Sequence, residues 1–459
     1  MRFWEISLIV IHFCLLGWTL FTGRKTKRWF GFALIAAYGV LIVQLIAEGF
    51  RWQMIPAYLS PVILTACFLL TRRKESPRNR FAITIRTLLL VLYLSVAVAF
   101  PALMPISLFN KPTGPFMVGT TLYHWVDDRR EEPSTTDPND RRELMVQMYY
   151  PAGDKGEGSR EPYIRNAHEI AKGLEGDLSI PAFVLSHLNL VESNAFTEAR
   201  LSDAESRYPV LIFSHGFNGF RNQNTFQVEE LASQGYIVFC IDHTYDAAAT
   251  VFPEGRTAYF QPGNLTDLAA GDRHIQLWKE DAAFVLDQVE KLNRGDIDVR
   301  FTGRIDTTRI GMFGHSYGGA TAAQMLFEDN RIKAAINMDG LLYGTTVTEA
   351  GIGKPFLLMS AEINEDPVED AIALKVRNER ALAGGGMSMV IPHTDHTSFS
   401  DFHLISPVMR NPGEDPRRVH RIINGFSLAF FDLYVKQTGD SSALDRLAAI
   451  YPEVNFKVN

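Results

Sequence analysis

Arg309-Ile310-Gly311-Met312-Phe313-Gly314-His315-Ser316-Tyr317-Gly318-Gly319-Ala320 is the stretch on which the reading of this chain turns. An apolar run leads into Gly314-His315-Ser316-Tyr317-Gly318, and a helix-like run extends from there to Phe327. This is the G-x-S-x-G pattern in the setting that gives it meaning: a strand, a sharp turn, then a helix. The two glycines let the backbone pass close to its neighbours through a strained turn, which pushes the Ser316 hydroxyl out at the top of a sheet. Ser316 then stands at a helix N-terminus, where free backbone N–H groups stabilise a developing oxyanion. Its position makes Ser316 a candidate nucleophile.

Outward from this turn, apolar strands alternate with helical stretches. Upstream, residues 208–213 read as a short buried strand ended by Ser214-His215-Gly216, followed by a helix over 223–234 and a strand over 236–242. A long amphipathic helix over about 272–292 carries Ile275, Trp278, Ala282, Val285, Val289 and Leu292 at helical spacing, which marks core contacts. Downstream come strands over 332–338, 355–360 and 387–391, with helices over 368–382 and 418–436. Two earlier strands, 114–125 and 142–150, flank a charged, Pro-containing turn. Strands alternating with helices predict a mostly parallel sheet with helices on both faces. The order of elements is that of an α/β-hydrolase.

A serine is a poor nucleophile at neutral pH unless an imidazole takes its proton and a carboxylate orients that imidazole. In this fold the base follows the last strand, where His393, His396 and His403 stand. His396 lies on a loop between Thr394-Asp395 and Thr397-Ser398, free to reach back over the sheet, and is the favoured base. Spacing leaves the acid open. Asp339 ends the strand directly after the elbow helix, whereas Glu362, Glu365 and Asp366 stand one strand later, the more usual position.

The composition of the 459-residue chain is globular, with 46% hydrophobic and 21% charged residues, and its net charge of -7 gives no reason to expect nucleic acid as a partner. The three cysteines, Cys14, Cys67 and Cys240, are far apart and define no disulfide framework. No group of residues has metal-ligand spacing, so no metal or other cofactor is expected. Oligomeric state is not encoded in any pattern here.

The first 110 residues are of a different kind. Apolar segments at about 6–21, 29–47, 55–70 and 83–103 approach the roughly 20 residues needed to cross a bilayer, and they predict an all-α region of four transmembrane helices. Arg24, Lys25, Lys27 and Arg28 follow the first segment, Arg72, Arg73, Lys74, Arg78 and Arg80 follow the third, and the intervening loop has only Arg51. By the positive-inside rule both basic loops face the cytoplasm. The expected organisation is a multi-pass region, residues 1–110, in the cell membrane, carrying an extracytoplasmic catalytic domain over 111–459.

Taken together, Phe213-Ser214-His215-Gly216 with Gly219-Phe220-Arg221, the strand end Asp242-His243, the elbow, Met338-Asp339-Gly340, and His396-Thr397-Ser398-Phe399-Ser400-Asp401-Phe402 resemble the platelet-activating factor acetylhydrolase family, the group VII phospholipases A2. The likeness covers about residues 112–436 and none of the apolar segments. It implies a triad of Ser316, Asp339 and His396, with Asp339 chosen over the later carboxylates. It also implies oxyanion donors at the backbone N–H groups of Phe217 and Tyr317. The implied activity is calcium-independent hydrolysis of acyl esters, with a lipid or other small ester as substrate. Two features depart from the family: the added apolar segments, and Tyr317 where the family often has Phe. A cutinase-like or general carboxylesterase, and a non-catalytic tethered binding module, are the alternatives.

Overall fold

The computed structural model describes residues 1–22, 27–70, 80–261, 265, 267–345, 351–363 and 368–459. Arg24 and Lys25 of the first basic loop, Arg72, Arg73, Lys74 and Arg78 of the second, and the acid candidates Glu365 and Asp366 lie outside these residues. The chain forms two compact units, Met1–Leu108 with Ile405–Val408, and Phe109–Leu404 with Met409–Asn459.

The first unit contains helices α1 (Phe3–Thr22), α2 (Lys27–Glu48), α3 (Ile55–Leu70) and α4 (Arg80–Leu103). Two of them contain stretches long and apolar enough to cross a membrane, Trp29–Glu48 and Arg80–Leu103; α1 offers the shorter apolar stretch Phe3–Trp18. The 16 residues of α3 rise only about 24 Å, against the ~30 Å of a hydrocarbon core. On this criterion, among the described residues, two of the four expected spans are of full length.

Small and apolar side chains, including Leu8, Phe13, Ala37, Ala57, Leu64 and Ala97, pack inside this unit. Large apolar ones face outward on every helix, among them Val10, Ile35, Ile46, Val62, Leu88 and Leu92. Polar groups are drawn in instead. Arg51 is buried against Glu5 (Nη1–Oε1, 3.2 Å) and donates to the carbonyl of Met104 at 2.5 Å. His12 meets the Ala37 carbonyl at 2.8 Å. Arg51 thereby gathers the start of α1, the loop after α2 and the end of α4 at one end of the unit.

Among the described residues, the second unit is built on a sheet of twelve strands. Its principal members are β1 (Met117–Glu131), β2 (Arg141–Asp154), β3 (Tyr208–Ser214), β4 (Ile237–Asp242), β5 (Ile305–His315), β6 (Ile332–Met338), β7 (Phe356–Ala361) and β8 (Met387–Ile391), in the spatial order β1-β2-β4-β3-β5-β6-β7-β8. From β4 to β8 every neighbour is parallel. The opening pair β1 and β2 is antiparallel, and β2 lies antiparallel to β4.

Helices α5 (Thr225–Ser233), α6 (Leu268–Arg294), α7 (Tyr317–Glu328), α8 (Val368–Leu382) and α9 (Pro416–Phe431) cover the sheet. The period of two along β3 sorts its side chains between the faces. Val210 and Ile212 join a core with Val285 and Val289 of α6 and Leu326 of α7, whereas Leu211 and Phe213 join Leu231 of α5 and Phe426 and Phe430 of α9. With both faces of the central strands buried, their sequences read as unbroken apolar runs.

Three differences from the sequence expectation concern edges and ends. The opening strands run longer than expected, to Glu131 and from Arg141, because Asp127 is braced by Arg129 (3.0 Å) and Arg130 (2.7 Å) within the strand end. The closing helix stops at Phe431, and a widened π turn, Asp432–Lys436, completes it. Four unforeseen strands extend the sheet: Arg160–Pro162, Glu192–Thr197 beside β1, Arg200–Leu201 beside β2, and Asn455–Val458 beside β8.

Candidate active site

Ser316 joins β5 to α7 with φ 54 and ψ -125, a conformation rare for a side-chain-bearing residue. The turn is held because the Ser316 amide donates to the Met338 carbonyl at 2.9 Å. Its glycines are demanded by packing: a β-carbon on Gly318 would lie 2.1 Å from the Ser214 carbonyl oxygen.

The structure brings Ser316, His396 and Asp339 together. His396 Nε2 is 2.9 Å from Ser316 Oγ, and His396 Nδ1 is 2.8 Å from Asp339 Oδ2. Asp339 leaves the end of β6 with φ 55. Its amide donates to Met359 at 2.7 Å, and its Oδ1 accepts from the Ala361 amide at 2.8 Å. Burial pushes this carboxyl up, but the hydrogen bond and charge of His396, with the Ala361 amide, hold it below its ordinary value.

The other candidates stand elsewhere. His393 is exposed, 4.0 Å from Glu362, and its amide donates to the same carboxylate at 2.8 Å. His403 is buried and bound to Glu414 at 2.6 Å and Thr397 at 2.7 Å.

The base loop is anchored by the motif that follows His396. The Phe399 carbonyl accepts from the Asn224 side chain at 2.7 Å, and Asp401 accepts from the amides of Thr225 (2.7 Å) and Phe226 (3.2 Å), capping α5. That explains the H-x-x-F-x-D-F spacing.

Of the expected oxyanion donors, Tyr317 directly follows Ser316 and Phe217 stands on the loop after β3. Tyr317 opens α7, where the first amides have no helical acceptor. Phe217 follows Gly216, whose absent side chain lets the loop approach: a β-carbon there would lie 3.2 Å from Ser316 Cβ. The rings of Phe217 and Tyr317 are 5.7 Å apart. Arg221 ties this loop to the end of β4 by donating its amide to Asp242 at 2.7 Å.

Beneath the site lies a second constellation that sequence reading missed. Ser214 Oγ is 2.8 Å from His243 Nε2, and His243 Nδ1 is 2.9 Å from Asp281 Oδ2. All three residues are fully buried. Asp281 also pairs with the buried Arg142 at 2.6 Å, and His243 stacks on Trp278 at 3.8 Å. His215, which donates from Nδ1 to Gly216 O at 2.6 Å, accepts the His243 amide at 3.1 Å. Burial drives both imidazoles toward the neutral form. Separation in sequence, 29 and 38 residues, left no local pattern by which to find this group.

Comparison with known proteins bears on the family and the fold. The family model for platelet-activating factor acetylhydrolase, isoform II, matches residues 104–448. The chain is 25% identical over 325 residues to a platelet-activating factor acetylhydrolase of Cavia porcellus, covering 63% of this chain and 72% of that protein. It is 26% identical over 335 residues to a probable 1-alkyl-2-acetylglycerophosphocholine esterase of Arthroderma benhamiae, covering 68% and 80%. Among solved structures, a ferulic acid esterase from Streptomyces cinnamoneus superposes with a TM-score of 0.63 at 28% identity, covering 77% of this chain and 99% of that one.

An α/β fold of this kind, shared with esterases by sequence and by structure, defines a serine ester hydrolase. Within that class, the chain belongs to the platelet-activating factor acetylhydrolase isoform II family.

Proposed function

We propose that this chain is a membrane-anchored hydrolase of short or oxidised acyl esters of phospholipids, acting through a covalent acyl-enzyme on Ser316. The observation that carries the mechanism is the run of two hydrogen bonds from Ser316 Oγ through His396 to Asp339, 2.9 and 2.8 Å. His396, its Nδ1–H donated to Asp339, takes the Ser316 proton as Oγ attacks the ester carbonyl. The amides of Phe217 and Tyr317 hold the oxyanion. His396 then protonates the leaving alcohol, and water releases the acyl group by the reverse path.

The phospholipid substrate is supported by the names of the relatives, and an amphiphilic ester suits an enzyme held at a bilayer. The proposed layout is a membrane region over 1–110 and a catalytic domain over 111–459 facing outward. Support for four crossings comes from the apolar side chains turned outward on all four helices, where a water-soluble bundle would place polar ones. The single arginine of the outward loop, Arg51, is already neutralised by Glu5. A general carboxylesterase is the second reading, favoured by the likeness to a ferulic acid esterase.

The test is labelling of intact cells and of purified protein with a membrane-impermeant fluorophosphonate, together with turnover of short-acyl phosphatidylcholines and of feruloyl and p-nitrophenyl esters. Labelling in intact cells that is lost in Ser316→Ala, with phospholipid turnover, is the expected result. Turnover of simple esters alone would replace the phospholipid reading with the carboxylesterase. Labelling only after the membrane is opened would reverse the orientation.

A further inference from the structure

We infer that Gln223 and His315 are positioning residues, forming one hydrogen-bonded bridge that holds the base His396 in place and ties it to the oxyanion loop. The inference rests on the reading of Ser316, Asp339 and His396 as the catalytic groups.

The bridge has four members and a fixed direction. The Gly216 amide donates to Gln223 Oε1 at 3.0 Å, which settles which end of the Gln223 side chain is oxygen. Gln223 Nε2 then faces His315 Nδ1 at 2.6 Å and must donate to it. With Nδ1 an acceptor, the proton of His315 sits on Nε2, which donates to the His396 carbonyl at 2.7 Å. Every donor points the same way, an arrangement in which each bond polarises the next.

Packing keeps the bridge in register. Gln223 and His315 are both buried. A β-carbon on Gly219 would lie 2.1 Å from Gln223 Oε1, so the oxyanion loop closes tightly around that side chain. The Gln223 carbonyl also accepts from the Asp401 amide at 2.9 Å, so Gln223 meets the base loop directly at Asp401 and, through His315, at His396.

The base needs such support. His396 is half exposed, on a loop, and its ring must stay aligned with Ser316 within a fraction of an ångström. Because Gly216 immediately precedes Phe217, the same bridge sets base and oxyanion donor relative to one another. His315 has to remain neutral for this. A second proton on Nδ1 would face the Gln223 amide hydrogens, and its charge would stand beside His396, whose ring is 4.6 Å away. Burial, reinforced by the neighbouring His396, pushes His315 down to about 3.

The experiment compares full-length wild type, His315→Leu, His315→Gln and Gln223→Glu in steady-state p-nitrophenyl acetate hydrolysis, fluorophosphonate labelling rate and thermal melting. Leucine removes both bonds. Glutamine at 315 can accept from Gln223 and donate to the His396 carbonyl. Glutamate at 223 keeps the Gly216 bond but draws the His315 proton to Nδ1, leaving a lone pair against the His396 carbonyl. His315→Leu and Gln223→Glu are expected to lose about tenfold or more in kcat with KM within about twofold of wild type, and His315→Gln to recover most of the loss. Wild-type kcat in Gln223→Glu, or equal impairment of folded Leu and Gln variants at 315, overturns the bridge alone. A wild type that neither labels nor turns over removes the parent reading, and the bridge with it.

Discussion

The carboxylate of Asp339 is shared between two neighbours: Oδ1 accepts from the backbone N–H of Ala361, at the end of the next strand, while Oδ2 accepts from His396. An acid leaving β6 thus borrows its orientation from β7, and sits where an acid one strand later would otherwise reach.

Replacing Asp339 by Asn keeps the Ala361 bond through the amide oxygen but turns an NH2 group toward His396 Nδ1. The ring proton then moves to Nε2, which can no longer accept from Ser316. Turnover is expected to fall by about 10³- to 10⁴-fold with little change in melting temperature, measured by p-nitrophenyl acetate hydrolysis. Glu362→Gln, whose partner is the exposed His393, leaves turnover unchanged. More than a tenth of wild-type rate in Asp339→Asn would discard the assignment.

At Gly318, an added methyl would meet both the Ser214 and His215 carbonyl oxygens, at 2.1 and 2.3 Å. Backbone cannot yield as a side chain does, so Gly318→Ala is expected to cost about 1–3 kcal/mol or more and to abolish fluorophosphonate labelling. Gly176, with open space around it, provides the comparison: Gly176→Ala leaves melting and labelling at wild-type levels. A Gly318→Ala protein with normal labelling would refute the close packing of the elbow.

The Arg142–Asp281 pair makes acid stability predictable. Burial raises the Asp281 carboxyl, but the Arg142 charge and the hydrogen bonds from His243 and Arg142 outweigh it and carry it far below its ordinary 3.8. A carboxylate depressed on folding stabilises the fold above its unfolded pKa and gives up that stabilisation as pH falls through and below this value. Asp281→Asn, which leaves Glu132 at 2.9 Å as the remaining carboxylate partner of the buried Arg142, is expected to cost about 3 kcal/mol at neutral pH, the low end for a broken buried pair. Its melting temperature falls less steeply than that of wild type between pH 5 and pH 3. Parallel melting curves over that range would remove Asp281 from the acid response.

Strand content was legible where burial on both faces forces continuous apolar runs: the cores of β3 and β4 could be read directly. The strained turn at Ser316 was legible because it demands glycines at fixed spacing. The carboxylate partner of His396 was not legible from spacing, since Asp339 and Glu362 both end strands and the 2.8 Å contact with His396 is what separates them. Gln223 and Asp281 had no signal at all, because their partners are remote in sequence and a lone polar residue in a helical stretch reads as surface. The edge strand Asn455–Val458 was hidden for a related reason: an exposed strand carries no core pattern.

Ser214, His243 and Asp281 repeat, inside the protein, the residue types and nearly the distances of Ser316, His396 and Asp339. The fold thus contains its own control experiment. Two trios of like composition share one molecule and one solvent, and they differ in whether a reagent can arrive. A phosphonate that modifies Ser316 and spares Ser214 would be reporting on access: Ser316 and His396 reach solvent, whereas Ser214, His243 and Asp281 do not.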